Sequence, residues 1–563
     1  MKKAFRAAGD SVHSMVSMLT LPALLQDVGH PAKHPFSALR VAIVLIAGCA
    51  HAASMAWPFD LVFKLGQPLW WLQLIALGLL VGQLDAQVGF RSWQRGAWLA
   101  GLFATAMLCS TFWWLYISMH AYGGLAAPLA VLAVVMLAAF LALYYAVAGA
   151  VFVRLAPAPR WQRALLFAGL WLMAELARVQ LFTGFPWGEG GYAHVDGWAR
   201  PLAAWVGVHG LSFLAAFLAA WLVMSLRVAH VRWATVASLL LVAVALSWVP
   251  VQSGLPMQDN PPSPGTLAVT LLQGNIAQNE KFEAGSGVAT ALAWYRARLQ
   301  EAATPLVIAP ETAVPLLPQQ LPEDYWPSLQ QRFTRAGGAP QAALVGVPLG
   351  DLSTGYSNSV VGLKPPAKGA GAGAGTAGAD AYRYDKHHLV PFGEFIPPGF
   401  RWFTNLMNIP LGDFNRGAVG QPSFEWQGQR LALNICYEDL FGEELGARFT
   451  DPALAPTAFV NVSNIAWFGN SIAIDQHLQI SRMRALEFSR PMIRATNTGA
   501  TVIIDHRGLL THSLERHTRG VLVGEFEGRS GITPYAWWVS RYGLTPLWLL
   551  GMAVVVVSLL RRR

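Results

Sequence analysis

LALNICYE, residues 431–438, is a short apolar run that ends in a thiol and a carboxyl group. A run of this kind is typical of a strand whose two faces are both covered by other elements. Cys436 directly follows the run, and residues at strand ends meet at one edge of a sheet, where α/β folds place their sites. The sequence therefore predicts a buried sheet with Cys436 at its edge.

Eight further short runs and four amphipathic segments surround this strand between residues 265 and 530. Strands that alternate with helices predict a layered α/β domain. The predicted strands are 267–272, 306–309, 342–347, 359–362, 431–436, 458–462, 492–495, 501–505 and 521–526, and the predicted helices are 288–303, 325–336, 441–449 and 472–489. The Gly/Ala-rich segment 367–379 predicts a loop insertion without chemistry of its own.

The rest of the chain is strongly apolar. Of its 563 residues, 54% are hydrophobic and only 13% are charged, whereas soluble domains carry about 25% charged residues. Seven runs before the α/β part and one after it approach the roughly 20 residues of a membrane span. These runs are 36–57, 69–84, 97–119, 125–153, 164–182, 203–226, 233–249 and 544–560.

We therefore predict a membrane α-helical bundle of about eight spans joined to an α/β domain. The predicted division is a membrane domain with seven helices at 1–250, a Pro-rich linker at 251–264, a catalytic domain at 265–530 and a last spanning helix at 544–560.

The loop charges predict the orientation of the spans. Lysines and arginines collect in the loops on the side of the N-terminus, and the opposite loops hold little beyond Lys64 and Arg200. This positive-inside pattern predicts that both termini are cytoplasmic. An odd number of crossings then puts the α/β domain in the periplasm. Since the net charge of +9 comes largely from these loops, it does not indicate nucleic acid binding.

Two charged residues, Glu175 and Arg178, lie three positions apart in the fifth run and share one helix face. At that depth they fit either a structural ion pair or a lipid headgroup site. The turn-rich aromatic segment that follows, residues 183–187, is typical of a membrane interface.

Cys436 is the only cysteine of the predicted α/β domain, since Cys49 and Cys109 lie in apolar runs. A thiol attacks as its thiolate, so it needs a base, and a nearby ammonium can stabilise the oxyanion that forms. Candidates for these roles are Glu311 in APET, residues 309–312, and Lys386 in YDKHHLVPFGE, residues 384–394. Taken singly, each also fits an ordinary surface carboxylate, a solvated or metal-binding loop, or an inert core thiol.

Several longer strings carry a more specific signal than the single residues. They are LFTGFPW at 181–187, QGNI at 273–276, KHHLVPFGE at 386–394, CYE at 436–438, SN at 463–464, AWFG at 466–469 and RMRALE at 482–487. With the order Glu, Lys, Cys, the chain resembles the nitrilase (carbon–nitrogen hydrolase) superfamily, whose domains are αββα sandwiches. Within it, the strings resemble the apolipoprotein N-acyltransferase family over nearly the whole chain.

The resemblance implies a role for each matched residue. Glu311 would be the general base, Lys386 would stabilise the tetrahedral intermediate, and Cys436 would be the acylated nucleophile. The positions that would support the site are Asn358, Glu394, Tyr437, Glu438 and Trp467.

The implied reaction moves a fatty acyl chain from a phospholipid, typically from the sn-1 position of phosphatidylethanolamine, to Cys436. The thioester then acylates the α-amine of the diacylglyceryl-cysteine of an apolipoprotein. The resemblance implies no cofactor, no metal and no nucleic acid partner, and a multi-pass location in a bacterial inner membrane. We expect a monomer.

The chain departs from the family pattern at two positions. Ile465 stands where the family usually has an acid, and Phe282 stands where it often has Trp. The second change keeps an aromatic ring, whereas the first removes a charge near the site.

Three alternatives remain from the sequence. A membrane-anchored nitrilase-type amidase would use the same three residues, but it would not need eight spans. A transporter would carry paired broken helices and midplane charges, and the runs lack these apart from Glu175 and Arg178. A catalytically inactive assembly protein would not need Glu311, Lys386 and Cys436 intact.

Overall fold

The computed structural model describes residues 37–226, 263–334, 339–351, 353–366, 382–404 and 413–561. Its N-terminal helices are α1 (Ala38–Met55), α2 (Trp70–Val88), α3 (Trp93–Phe112), α4 (Ala127–Leu155), α5 (Arg160–Gln180) and α6 (Ala203–Leu226). The first six predicted runs correspond to these helices. The seventh predicted run, 233–249, lies outside the described residues.

The α/β domain contains two six-stranded sheets. The first sheet has the order β12-β1-β2-β3-β4-β5, with β1 (Thr266–Gln273), β2 (Leu306–Ile308), β3 (Ala342–Asp351), β4 (Gly355–Leu363), β5 (Tyr382–Asp385) and β12 (Gly520–Glu527). The second has the order β11-β10-β9-β8-β7-β6, with β6 (Phe424–Trp426), β7 (Gln429–Ile435), β8 (Ala458–Ser463), β9 (Met492–Thr496), β10 (Val502–Ile504) and β11 (Leu510–Ser513). Strands β1, β2 and β3 run parallel, as do β7, β8 and β9.

Helices cover the outer faces of both sheets. They are α7 (Ala289–Glu301), α8 (Tyr325–Thr334), α10 (Gly442–Gly446), α11 (Ala473–Phe488) and α12 (Pro534–Tyr542). A short helix, α9 (Arg401–Thr404), lies between β5 and β6, and α13 (Thr545–Leu560) follows α12. Leu344 and Leu433 belong to the apolar core between the two sheets. Tyr295 and Leu329 of α7 and α8 pack on the first sheet, and Phe488 of α11 packs on the second. The predicted αββα sandwich is therefore confirmed.

Helix α11 joins the sandwich to the membrane bundle. It is buried along almost its whole length because both of its sides contact protein. The side-chain oxygen of Gln476 accepts hydrogen bonds from the indole N–H groups of Trp114, at 3.0 Å, and Trp187, at 2.8 Å. The amide of Gln479 donates to the backbone oxygen of Gly66 at 2.9 Å. All three bonds reach segments that follow α1, α3 and α5, so the sandwich rests on one end of the bundle.

Two of the spans differ from the predicted straight runs. Among the described residues, five helices are long and apolar enough to cross a membrane, or up to seven if each of two bent helix pairs is one span. Helix α3 ends at Phe112, and the chain bends by 60° into a further helical segment that ends at Tyr122. Helix α13 follows α12 at a bend of 88°. The membrane domain is nonetheless a bundle of long apolar helices, as predicted.

The charged residues of α5 hold the loop that follows them. Glu175 and Arg178 are each 1% exposed, and they do not form an ion pair with one another. The Glu175 carboxylate accepts from the backbone N–H of Gly190 at 3.1 Å, and Arg178 donates to the backbone oxygen of Trp187 at 2.6 Å. Neither a direct ion pair nor an open headgroup site describes these residues, because the loop covers both side chains.

Helix α6 is broken at Gly207, whose φ of 66° is left-handed. A Cβ atom there would lie 2.3 Å from the ring of Tyr535 in α12, so both the backbone and the space require glycine. The break frees the backbone N–H of Val208, which donates to the carboxylate of Glu487 at 2.7 Å. Glu487 also pairs with Arg484 at 3.1 Å. A carboxylate of the sandwich thus caps the second half of a membrane helix.

Replacement of Glu487 by alanine is expected to destabilise the docked structure by about 3–5 kcal/mol, because it leaves the Arg484 guanidinium and the Val208 N–H buried without their partner. The measurement is the thermal unfolding midpoint of the detergent-solubilised protein. Glu525→Ala, which removes an exposed carboxylate from β12, serves as the control. Equal midpoints for the two variants would contradict the capping role.

Candidate active site

The first sheet contributes a buried cluster of two carboxylates, an amide and a lysine. Glu311 follows β2, Asn358 lies in β4 and Lys386 follows β5. The Lys386 ammonium lies 2.9 Å from the Glu394 carboxylate and 3.5 Å from that of Glu311. The side-chain N–H₂ of Asn358 donates to both carboxylates, at 2.7 Å to Glu311 and 2.9 Å to Glu394. The orientation of all four groups is therefore interdependent.

The second sheet completes the site. The second oxygen of Glu311 accepts from the backbone N–H of Asn464, just after β8, at 2.7 Å. Cys436 is the first residue after β7, and its φ of 54° is left-handed. A residue that is not glycine adopts this conformation at a cost of order 1–3 kcal/mol, and it persists only where the surroundings hold it. The predicted residues Glu311, Lys386 and Cys436 therefore meet where strands of both sheets end.

The turn at Cys436 is held by a buried charged cluster beneath it. His477 Nε2 lies 2.8 Å from the Asp439 carboxylate and 3.2 Å from the Cys436 backbone oxygen. Arg494 donates to His477 Nδ1 at 3.1 Å and pairs with Asp439 at 3.2 Å. Because arginine has only donors, Nδ1 must accept and the proton lies on Nε2. His477 thus acts as a neutral donor to the turn, and the sequence alone indicated none of this cluster.

The electrostatics of the site keep the lysine charged and the thiol neutral. Although burial opposes its charge, the carboxylates of Glu394 and Glu311 raise the pKa of Lys386 well above its ordinary value. Burial, and after it the Glu311 carboxylate, raise the pKa of the Cys436 thiol to about 12, against the lowering effect of Lys386. Cys436 is therefore a protonated thiol at neutral pH, and it needs a base at the moment of attack.

Glu438 connects three backbone segments of the site. Its carboxylate accepts from the backbone N–H groups of Ile435 and His387, both at 2.6 Å, and from the hydroxyl of Tyr384 at 2.8 Å. Burial raises the pKa of Glu438 in spite of these bonds. The side chain joins the end of β7 to the segment that carries Lys386, so it holds two parts of the site together.

Aromatic residues connect the site to the membrane loops. The hydroxyl of Tyr437 donates to the backbone oxygen of Gly184 at 3.2 Å, and its ring stacks on Phe185 with centroids 6.3 Å apart. Trp467 packs edge-on against Tyr122, with centroids 5.8 Å apart. The predicted interface segment 183–187 therefore contacts the residue next to Cys436, which puts the thiol close to the apolar bundle.

A second lysine, Lys281, lies in the same cluster, although no sequence motif indicated it. It is 2% exposed, and its ammonium donates to the backbone oxygen of Glu311 at 3.2 Å. Burial lowers the pKa of Lys281 to about 8, while Glu311 and then Cys436 act in the opposite direction. No local pattern marks this residue, since it lies in an irregular loop between β1 and α7.

The two departures from the family pattern have different environments. Ile465 is 2% exposed and packs as a core residue, with its Cγ2 atom 2.6 Å from where a Cβ of Gly499 would lie. Phe282 is 53% exposed beside the buried Lys281. Within the described part of the chain, no three His, Cys, Asp or Glu side chains form a group that could hold a metal ion.

Two domain families match the chain. The apolipoprotein N-acyltransferase N-terminal domain matches residues 52–221. The carbon–nitrogen hydrolase domain matches residues 268–531. The first match covers helices of the bundle, and the second covers the sandwich with the residues described above.

Whole-chain relatives extend across both domains. The apolipoprotein N-acyltransferase of Verminephrobacter eiseniae is 58% identical over 91% of this chain and 94% of the relative. That of Ralstonia nicotianae is 41% identical over 88% and 90%. That of Shewanella oneidensis is 30% identical over 94% and 97%. The similarity therefore includes the membrane helices as well as the site.

Proposed function

The chain belongs to the apolipoprotein N-acyltransferase family, and on that premise we propose that Cys436 carries a fatty acyl chain from a membrane phospholipid to the N-terminal amine of a lipoprotein. The observation that carries this proposal is the meeting of the Glu311 and Lys386 pair with the turn at Cys436, next to the membrane loops. The enzyme is an N-acyltransferase whose substrates are lipids and lipoproteins.

In the first half-reaction, the Cys436 thiol attacks the ester carbonyl of the phospholipid. Glu311 takes the thiol proton as the carbon–sulfur bond forms, because a thiol with a pKa of about 12 does not ionise by itself at neutral pH. The Lys386 ammonium stabilises the oxyanion. The carbon–oxygen bond then breaks, Glu311 returns the proton to the leaving oxygen, and a lysophospholipid departs from the thioester.

In the second half-reaction, the α-amine of the diacylglyceryl-cysteine attacks the thioester. This amine has a pKa near 7.7–8.0, so part of it is neutral at working pH. Glu311 removes the proton that the nitrogen loses on forming the amide bond and returns it to the Cys436 sulfur. The products are a triacylated lipoprotein and the free thiol. We propose the sn-1 position of phosphatidylethanolamine as the donor.

The membrane bundle has a role in this scheme. Both substrates are lipids, so holding the site against the bilayer supplies proximity. An apolar entrance also limits hydrolysis of the thioester by water. The contacts of Tyr437 with Gly184 and Phe185 support such an entrance. An amidase acting on soluble substrates has no need of it, and relatives that match both domains do not favour that alternative.

We further propose the domain division and location that the sequence predicts: a membrane domain at 1–250, a linker at 251–264, a periplasmic catalytic domain at 265–530 and an anchoring helix at 544–560. The protein would act as a monomer in the inner membrane with both termini cytoplasmic. The matches at 52–221 and 268–531 support the division. The contacts of α11 with the loops after α1, α3 and α5 support the orientation.

Labelling of introduced cysteines tests this orientation. A membrane-impermeant maleimide is expected to label Glu525→Cys, on the exposed face of β12, in intact spheroplasts. Arg91→Cys, in the exposed turn between α2 and α3, should react only after permeabilisation. The reverse pattern would overturn the topology.

The acyl-enzyme is tested by intact mass. Purified protein incubated with phosphatidylethanolamine should gain the mass of one acyl chain, hydroxylamine should remove it, and a diacylglyceryl peptide should take it up. Cys436→Ala should gain no mass, whereas Cys109→Ala, which removes a cysteine of α3, should behave as wild type. If wild-type protein forms no adduct but hydrolyses small amides, the proposal is wrong and the protein is an amidase instead.

A further inference from the structure

Two buried lysines lie beside Glu311, and only Lys386 is part of the scheme above. Lys281 lies in the loop between β1 and α7, which precedes Glu311 in the chain, whereas Lys386 follows Glu311. Its ammonium bonds to the backbone oxygen of Glu311 at 3.2 Å and is shielded from solvent, with 2% of the residue exposed. A buried ammonium next to a reacting centre requires an explanation.

The two lysines differ in their partners. Lys386 lies within ion-pair distance of two carboxylates, Glu394 and Glu311. Among the residues that the structure describes, Lys281 has no carboxylate at that distance, and the one hydrogen bond of its ammonium is to a backbone carbonyl. The charge of Lys386 is therefore permanent at working pH, whereas that of Lys281 can be gained and lost.

The bond from Lys281 reaches a strained turn. Thr312, directly after Glu311, has a left-handed φ of 50°, and such a conformation in a β-branched residue must be held by its surroundings. Lys281 binds the backbone carbonyl of Glu311, directly before Thr312. Asn358 and Asn464 bind the side-chain carboxylate of the same Glu311. Loss of the Lys281 bond would leave the carbonyl before this strained turn without its side-chain donor, which would loosen the backbone that carries the Glu311 carboxylate.

We propose that Lys281 is a positioning residue of the acyl-transfer site, which holds the Glu311 turn and adds a second positive charge beside Glu311. This inference rests on the proposed function. In its ammonium form Lys281 supports the developing charge on Cys436 and on the tetrahedral intermediate. In its neutral form it keeps the turn but withdraws that support.

The pH dependence follows from the direction of the shift. Burial lowers the pKa of Lys281 to about 8, with the charges of Glu311 and Cys436 opposing the decrease. Because the group is charged below this pKa, acylation of Cys436 should be fastest below about pH 8 and should fall as the pH rises through it. Glu280 and Glu283 flank Lys281 on its own loop, and Glu311 and Cys436 face it from the two sheets.

The test compares Lys281→Met, Lys281→Arg and Lys364→Met in the full-length protein. Lys364 is an exposed lysine that also donates to a backbone carbonyl, that of Glu425 at 2.9 Å, so it is a matched control. The rate of Cys436 acylation by phosphatidylethanolamine is followed by intact mass from about pH 6.5 to 9.5. Titration of the lipid itself is common to all variants.

In Lys281→Met, we expect the rate of Cys436 acylation to be at least about tenfold lower at pH 7 and not to decrease near pH 8. In Lys281→Arg, the acylation rate should not decrease until well above pH 9, because a guanidinium stays charged. Lys364→Met should match wild type. Wild-type rate and pH profile in Lys281→Met would overturn the inference. If that variant does not fold, an unshifted profile in Lys281→Arg would overturn it instead.

The outcome separates this inference from the proposed function. If wild-type protein forms the Cys436 adduct and the Lys281 variants share its profile, only the inference fails. If wild-type protein forms no adduct at any pH, the thioester scheme fails and the inference fails with it.

Discussion

Replacement of Cys436 by serine is expected to abolish acyl transfer while leaving the fold and membrane insertion intact. A hydroxyl is isosteric with the thiol but much less nucleophilic, and removing the nucleophile of a covalent mechanism typically costs on the order of 10⁴-fold or more in rate. The turn at residue 436 depends on its backbone oxygen, which His477 and Asn461 bind. Serine keeps that oxygen, so the turn should survive.

The measurement is transfer of a labelled acyl chain from phosphatidylethanolamine to a diacylglyceryl peptide, together with the thermal unfolding midpoint. Cys109→Ser, at a partly buried cysteine of α3, should retain both activity and midpoint. Substantial turnover by Cys436→Ser would eliminate the thioester intermediate from the scheme. A lower unfolding midpoint in that variant would instead show that the thiol contributes to packing.

Replacement of Glu311 by glutamine is expected to slow acylation of Cys436 by about 10²–10⁴-fold, the usual contribution of a general base. The thiol has a pKa of about 12 and is protonated at neutral pH, so a neutral amide in place of the base leaves the proton on sulfur. The residual rate should rise with pH, because hydroxide then replaces the missing base. Lys386 keeps its ion pair with Glu394, so the cluster should remain assembled.

Acylation rates between about pH 6 and 9 check this expectation, with Glu323→Gln, an exposed carboxylate before α8, as the control. A wild-type rate in Glu311→Gln would assign the base to another residue. A large loss in which the residual rate is independent of pH would point to disrupted geometry, since a missing base predicts a rising rate.

The apolar runs predicted nine of the twelve described strands. Eight of these nine lie inside the sheets, where a strand covered on both faces is apolar along its length. The missing strands β5, β6 and β11 all lie at sheet edges. An edge strand is paired on one side only and its side chains are less uniformly buried, so its sequence lacks that continuous pattern. Hydrophobic patterns therefore predicted every interior strand of both sheets, but among the four edge strands they predicted only β12.

The site shows the same division. The sequence motifs identified Glu311, Lys386 and Cys436, and the structure brings these residues together across two sheets. Lys281 and the cluster of Asp439 and Arg494 have no such local signature, since their environment is created by segments far apart in the chain.

By itself, the sequence determined the membrane and α/β parts, the covered strands and the family, because these depend on hydrophobic patterns and motifs within single segments. The partners of buried charges were decided only in the tertiary structure. Glu175 and Arg178 share a helix face, yet each binds the following loop, and Glu487 caps a membrane helix broken about 280 residues earlier. A charged group removed from water needs a partner. The tertiary fold determines which residue that partner is, and the local sequence around the charged group does not.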